Sequence, residues 1–253
     1  MCGRVASLVL VFAAAIVALG GASARAAEKV DVLLVLAADV SRSVDDEKFR
    51  LQREGYAAAL TSARVVRAIT SGEHGRIAVS FIEWSGPFNQ TIVVDWTVVT
   101  GEADARKLAS RMINAPRVFR DRTAIGAAIE FSARQIERAP FDATRRVIDV
   151  SGDGTNNAGQ SVVEARDEVL AKGIAINGIV ILSKTPLMTN PTHTHPPGGL
   201  LAYYENNVIG GPGAFALAAE SFETFGSALA IKLIREISSV PVQGAKLRRA
   251  SAD

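Results

Sequence analysis

Cysteine is all but missing from this chain of 253 residues, and the single one, Cys2, stands near the start, ahead of an apolar run. A lipid-anchoring cysteine follows such a run, so anchoring through Cys2 is not expected. Beyond residue 26 there is no cysteine, so no disulfide can form and the fold must stand on its core. Histidine is scarce, and His74, His193 and His195 all fall in predicted loops; with no Gly-x-Ser-x-Gly elbow either, a serine hydrolase has little to rest on. An excess of charge is lacking too. Without Arg4 and Arg25 the 28 basic residues become 26, level with the 26 acidic ones, and nucleic-acid binding gains no support. No internal repeat is evident. What is there is a 48% hydrophobic chain with 21% charged residues, enough for one well-cored domain.

The one long run without charge is Val5–Ala24, preceded by Arg4 and ending in the small-residue triplets Ala22-Ser23-Ala24 and Ala24-Arg25-Ala26. That layout is a secretory leader over residues 1–26 with an A-x-A cleavage site, which places the protein in the periplasm or outside the cell. An uncleaved anchor is the rival, since about 20 residues can just cross a bilayer. The Ala- and Gly-rich composition and the paired triplets favour cleavage, which leaves no membrane segment.

Val30–Ala38 is a nearly continuous Val- and Leu-rich run, the pattern of a strand buried on both faces of a parallel sheet. A helix is expected from Val44 to about Ile69, opened by acidic residues. Arg76–Trp84 and Thr91–Trp96 alternate as strands and lie close enough for an antiparallel hairpin. Helices follow at 102–113 and 123–138, a strand at 146–151 ending in Gly152-Asp153-Gly154, a helix at 161–172 closed by Gly173, and a strand at 174–182. Residues 183–213 read as loop-rich, with several prolines and glycines. A short strand at 214–219, a last helix at 221–237 and a flexible basic tail at 239–253 complete the chain. Trp84 and Trp96 read as packing residues. The alternation implies an α/β fold: a doubly wound, mostly parallel six-stranded sheet with one antiparallel edge strand and helices on both faces. Ligands in such folds sit beyond the carboxyl ends of the strands, where strand order reverses.

Directly after the first strand comes Asp39-Val40-Ser41-Arg42-Ser43. Polar groups at alternate positions present a carboxylate and two hydroxyls to one point, a hard oxygen cluster suited to Mg²⁺, Mn²⁺ or Ca²⁺. Two more oxygen donors come from suitable places: Thr123, expected to begin a helix, and Asp153, at the end of the 146–151 strand.

D-x-S-x-S after the first strand, a lone Thr ahead of a helix and an Asp after the fourth strand together resemble the metal-ion-dependent adhesion site of von Willebrand factor A domains. The resemblance spans residues 29–238. More narrowly, Arg-Asp-Arg-Thr-Ala-Ile-Gly (120–126), Asp-Val-Ser-Gly-Asp-Gly (149–154) and Asn-Asn-Val-Ile-Gly-Gly-Pro-Gly-Ala-Phe (206–215) are similar to a bacterial A-domain-like family of unknown function, DUF1194. The resemblance implies direct ligation by Ser41 and Ser43. It implies ligation by Thr123 and Asp153, directly or through water, with Asp39 orienting hydroxyls and waters. The partner would be a protein presenting Asp or Glu, whose carboxylate completes the shell of a Mg²⁺, Mn²⁺ or Ca²⁺ ion. Arg42, between the ligands, is a candidate for steering that carboxylate.

Gly152-Asp153-Gly154-Thr155-Asn156-Asn157 also resembles the metal motif of haloacid-dehalogenase-like phosphohydrolases, which would use Asp39 and Asp153. That chemistry needs a second Asp as general acid where Ser41 stands, which counts against an enzyme. A metal-bearing structural domain is the other alternative. His193 and His195 are expected to be solvated, in a Pro-rich loop that can shape partner choice if it lies near the metal. Gly210-Gly211-Pro212-Gly213 reads as a tight turn.

Overall fold

The computed structural model describes residues 27–238; the expected leader and tail lie outside them. The first strand, β1 (Glu28–Asp39), carries Val32, Leu34, Leu36 and Ala38 to one face and Leu33, Val35 and Ala37 to the other. Both sets are buried, which is why the run reads as continuously apolar rather than alternating.

Helix α1 (Asp46–Thr61) starts on Asp45, whose side chain accepts the Lys48 amide. The single helix expected over 44–69 is two. Ser62 adopts an extended conformation, ends α1 and accepts the Val65 amide as the cap of α2 (Ala63–Thr70). Strands β2 (Ile77–Trp84) and β3 (Gln90–Val99) form the expected hairpin, β3 being longer than its alternating stretch. Helices α3 (Glu102–Asn114) and α4 (Ile125–Glu137) follow, and Thr123 stands two residues ahead of α4 rather than opening it. Next come β4 (Phe141–Gly152), α5 (Val162–Ala171) and β5 (Ala175–Ile181). The 183–213 stretch is not all loop: it holds a single turn, α6 (Pro191–Thr194), and an eight-residue helix, α7 (Leu200–Asn207), which buries Leu200 and Tyr204. Strand β6 (Ala216–Ala219) and helix α8 (Phe225–Ser238) end the described chain.

The six strands run in the order β3-β2-β1-β4-β5-β6, all neighbours parallel except β2 and β3. One core lies between the sheet and α1, α2, α3 and α8, with Tyr56, Phe81 and Phe225 at its centre. The other lies under α4, α5 and α7 and contains Trp84, while Trp96 packs edge-on against Phe141 at its margin. Helices α1 and α8 touch at Gly55 and Gly226, where a Cβ on Gly226 would stand 2.9 Å from the Gly55 Cα. Among the described residues no helix is long and apolar enough to cross a membrane. Strand order reverses between β1 and β4, so a crevice forms where Asp39 and Asp153 emerge side by side.

Candidate metal centre

Asp39, the last residue of β1, is fully buried, and its Oδ1 accepts the Ser41 amide at 2.7 Å. This turns the chain so that Ser41 Oγ and Ser43 Oγ lie 3.1 Å apart. Ser43 Oγ donates to Asp153 Oδ1 at 2.6 Å, across from β4. Four of the five predicted residues thus form one hydrogen-bonded cluster. Thr123 is buried at its edge, with its hydroxyl 3.4 Å from His193 Nε2.

Three loops are pinned to one another around the cluster. The Arg42 amide donates to the Asp121 carbonyl at 2.8 Å. Asn157 Oδ1 accepts the Thr123 amide and Asn156 Oδ1 accepts that of Ile125, so the two asparagines of the 152–157 turn hold the Thr123 loop and the start of α4. In a phosphohydrolase reading these side chains would face a metal; here they are spent on backbone.

Arg117, which the sequence reading passed over, organises the D-x-S-x-S loop. Its guanidinium donates to the carbonyls of Val40 at 2.8 Å, Ser41 at 3.3 Å and Val44 at 2.7 Å. It stacks on the Phe49 ring, which carries Arg53 as well. Arg53 in turn is buried against Glu83 and the Met112 carbonyl.

The electrostatics are those of two acids forced together. Burial pushes the Asp39 carboxyl up to about 8, and the charge of Asp153 adds to the rise. Burial also raises Asp153, opposed chiefly by the Ser43 hydroxyl and then by Lys48. Asp39 Oδ2 is buried and has no hydrogen-bond partner. A Cβ added to Gly152 would stand 3.2 Å from that oxygen and 2.4 Å from the Tyr204 hydroxyl, so no larger residue fits there. The set of two carboxyl groups, two serine hydroxyls and a threonine hydroxyl fits a hard divalent cation, whose charge would favour the ionised form of both acids.

Positive groups frame this acidity. Lys48 Nζ donates to the Ser43 carbonyl at 2.7 Å and stands 3.9 Å from Asp153 Oδ2. Arg42 projects into solvent, 3.6 Å from Asp121. A groove of about 570 Å³ reaches Asp153 between Asp45, Lys48, Lys184, Phe222 and Glu223.

The two histidines expected to be solvated part company. His195 is exposed, but His193 is 3% exposed and lies on the Gly154 backbone. A Cβ on Gly154 would come within 2.2 Å of its ring. Burial lowers the His193 pKa, which favours the neutral ring.

The family model described as "Protein of unknown function (DUF1194)" matches residues 29–241. No curated protein matches the chain in sequence. In fold the chain is similar to proximal thread matrix protein 1 from the mussel byssus, at 16% identity and a TM-score of 0.57 over 84% of this chain and 47% of that one. The same mussel protein has been solved with zinc occupying its metal-ion-dependent adhesion site (14% identity, TM-score 0.57, 83% and 49% covered). The chain is also similar to the pilus adhesin SpaC of Lactobacillus rhamnosus GG (12%, 0.60, 82% and 31%) and to a von Willebrand factor type A structure from Catenulispora acidiphila (12%, 0.51, 83% and 43%). It spans about half the length of the mussel protein. At these identities the likeness is one of fold.

Proposed function

The chain belongs to the DUF1194 family and has a von Willebrand factor A-type fold, and from that premise we propose that it is an exported, divalent-cation-dependent protein-binding module. The carrying observation is the Asp39–Ser41–Ser43–Asp153 cluster at the reversal of strand order, with one carboxylate oxygen buried and unpartnered. Ser41, Ser43, Thr123 and Asp153 would hold the cation, and Asp39 would fix the loop that presents the hydroxyls. Bound there, Mg²⁺, Mn²⁺ or Ca²⁺ would supply an electrophilic position for an incoming carboxylate.

Most of the donors are neutral hydroxyls, and Lys48 offsets part of the Asp153 charge, so a bound cation would keep much of its own. An Asp or Glu side chain of a partner protein matches that remainder. Lys48, beside Asp153, is placed to meet it, while Arg42 pairs with Asp121 outside a groove whose walls also carry Asp45, Glu47, Glu220 and Glu223. Export rests on the leader read in residues 1–26. Adhesive roles of the similar folds and the zinc of the mussel protein support the reading by analogy. Hydrolytic chemistry is disfavoured because Ser41 stands where an acid would be needed.

Calorimetric titration of Mg²⁺, and separately Mn²⁺, into metal-stripped protein tests the reading. Saturable binding that Asp39→Ala and Asp153→Ala both abolish supports it. Folded protein that takes up neither ion would end the metal-dependent mechanism and leave the fold. Binding that persists without effect on capture of acidic partners would make the cation structural.

A further inference from the structure

We propose that His193 is a nitrogen ligand of this same centre, which suits the site to a borderline cation such as Mn²⁺, Co²⁺ or Zn²⁺ in preference to Mg²⁺. The inference rests on the metal-site reading above and adds a side chain that reading lacks.

His193 sits in α6, on the loop that leaves β5, and is carried to the site by backbone contacts. Its carbonyl accepts the Thr155 amide at 2.9 Å, and the loop is braced by the Leu187 amide donating to Thr194 Oγ1 at 3.0 Å. The imidazole then lies flat on Gly154, beside Asp153, in a space that only a glycine leaves open. Although the residue is 97% buried, none of its ring contacts is a good hydrogen bond. Nδ1 has Thr155 Oγ1 at 3.4 Å and Asn157 Nδ2 at 3.5 Å, and Nε2 has Thr123 Oγ1 at 3.4 Å. A buried imidazole with both nitrogens under-bonded calls for a stronger partner.

A cation at the Thr123 hydroxyl would be such a partner. Two donors at about 2.1 Å from one ion stand about 3.0 Å apart at a right angle and about 3.4 Å apart at the tetrahedral angle. Nε2 and Thr123 Oγ1, at 3.4 Å, stand at the tetrahedral separation, so a cation held by the Thr123 hydroxyl would be within reach of the imidazole. Nδ1 faces Thr155 and Asn157, which leaves Nε2 as the nitrogen on the Thr123 side. An imidazole among oxygens moves preference away from Mg²⁺, which favours an all-oxygen shell, toward cations that accept nitrogen. His193 does not line the groove that reaches Asp153 past Lys48 and Glu223, so ligation by the imidazole leaves that approach open.

Pulsed electron paramagnetic resonance of untagged, metal-stripped protein reloaded with Mn²⁺ reads the ligand directly. Coupling from a coordinated imidazole nitrogen is expected in the parent and in His195→Ala, and is lost in His193→Ala. In competition titrations His193→Ala should lower the Zn²⁺-to-Mg²⁺ affinity ratio by about a hundredfold while moving Mg²⁺ affinity less than about threefold. Mn²⁺ bound in the parent without nitrogen coupling would overturn His193 ligation and leave the oxygen site intact. Failure to bind Mn²⁺ while Mg²⁺ still binds would overturn His193 ligation alone, and uptake of neither ion would overturn both. The parent spectrum decides whether or not the variant folds.

Discussion

Arg117 reaches from the loop after α3 to the carbonyls of Val40 and Ser41 in the D-x-S-x-S segment and of Val44 just beyond it; the Ser41 carbonyl also accepts the Val44 amide at 3.1 Å. Arg117→Ala would leave those acceptors without their charged donor and uncover one face of Phe49. We expect a loss of about 2–3 kcal/mol in urea unfolding, at an unchanged m-value, with weaker Mn²⁺ binding in calorimetry. Arg117→Lys should recover little, because a point charge cannot span three acceptors. An unchanged unfolding midpoint in Arg117→Ala would show that the loop holds itself. The contrast with Asp39, Ser41 and Ser43 explains what was legible at this scale. Their spacing is local and follows a strand end, so chemistry and position could be read together. Arg117 acts on residues 73 to 77 positions away, and His193 meets Thr123 across 70, so neither role leaves a trace in nearby sequence.

At the scale of elements the most demanding contact is between α8 and β4. Lys232 is fully buried, with its Nζ 2.6 Å from Asp149 and bonded to Glu236, and Asn177 Nδ2 donates to Glu236 Oε1 at 2.7 Å. Lys232→Met would strand two acids in the core and should cost about 3–5 kcal/mol. Adding Asp149→Asn and Glu236→Gln should restore most of that, since the buried charge goes with its partners; a triple variant no better than the single one would refute the charge account. The same triad sets a pH dependence. Burial, with Glu236 adding, lifts the Asp149 carboxyl from 3.8 to about 7, against the pull of Lys232. The folded state therefore keeps a proton that the unfolded chain releases. This contribution is fully present below about pH 4 and is lost as pH rises to about 7. Parent stability should fall between pH 4.5 and 7.5 more steeply than that of Asp149→Asn, followed by urea midpoints. Tyr56 and Ser151 border the triad but are neutral in that range, so they leave the sign unchanged. Strands and most helices were readable because apolar periodicity is an element-scale signal. The break at Ser62 and helix α7 were not: one depends on a single residue's extended backbone, the other on Tyr204 packing under the sheet.

Across the whole molecule, the reversal of strand order gathers its acids where the two halves of the sheet meet, and that placement works against the metal-free fold. Asp39 and Asp153 are both nearly excluded from water, one with an unpartnered oxygen. Asp39→Asn removes a buried acid whose ionisation burial and Asp153 both oppose, while keeping an acceptor for the Ser41 amide. The metal-free variant should therefore melt at or above the parent, by up to about 1 kcal/mol. With cation the order should invert. A ligand at 100 times its dissociation constant stabilises by about 2.7 kcal/mol, roughly 5–10 °C for a domain of this size, and only the parent should show that rise. A chelator should return the parent to its starting point. The crossing separates two accounts of the same residues: side chains kept for the fold would make Asp39→Asn melt lower in every buffer, whereas side chains kept for a cation leave the metal-free fold strained and the loaded one relieved. Thermal melts of both proteins, with chelator and with excess Mn²⁺, would resolve it, and equal shifts in parent and variant would count against Asp39 as part of the site.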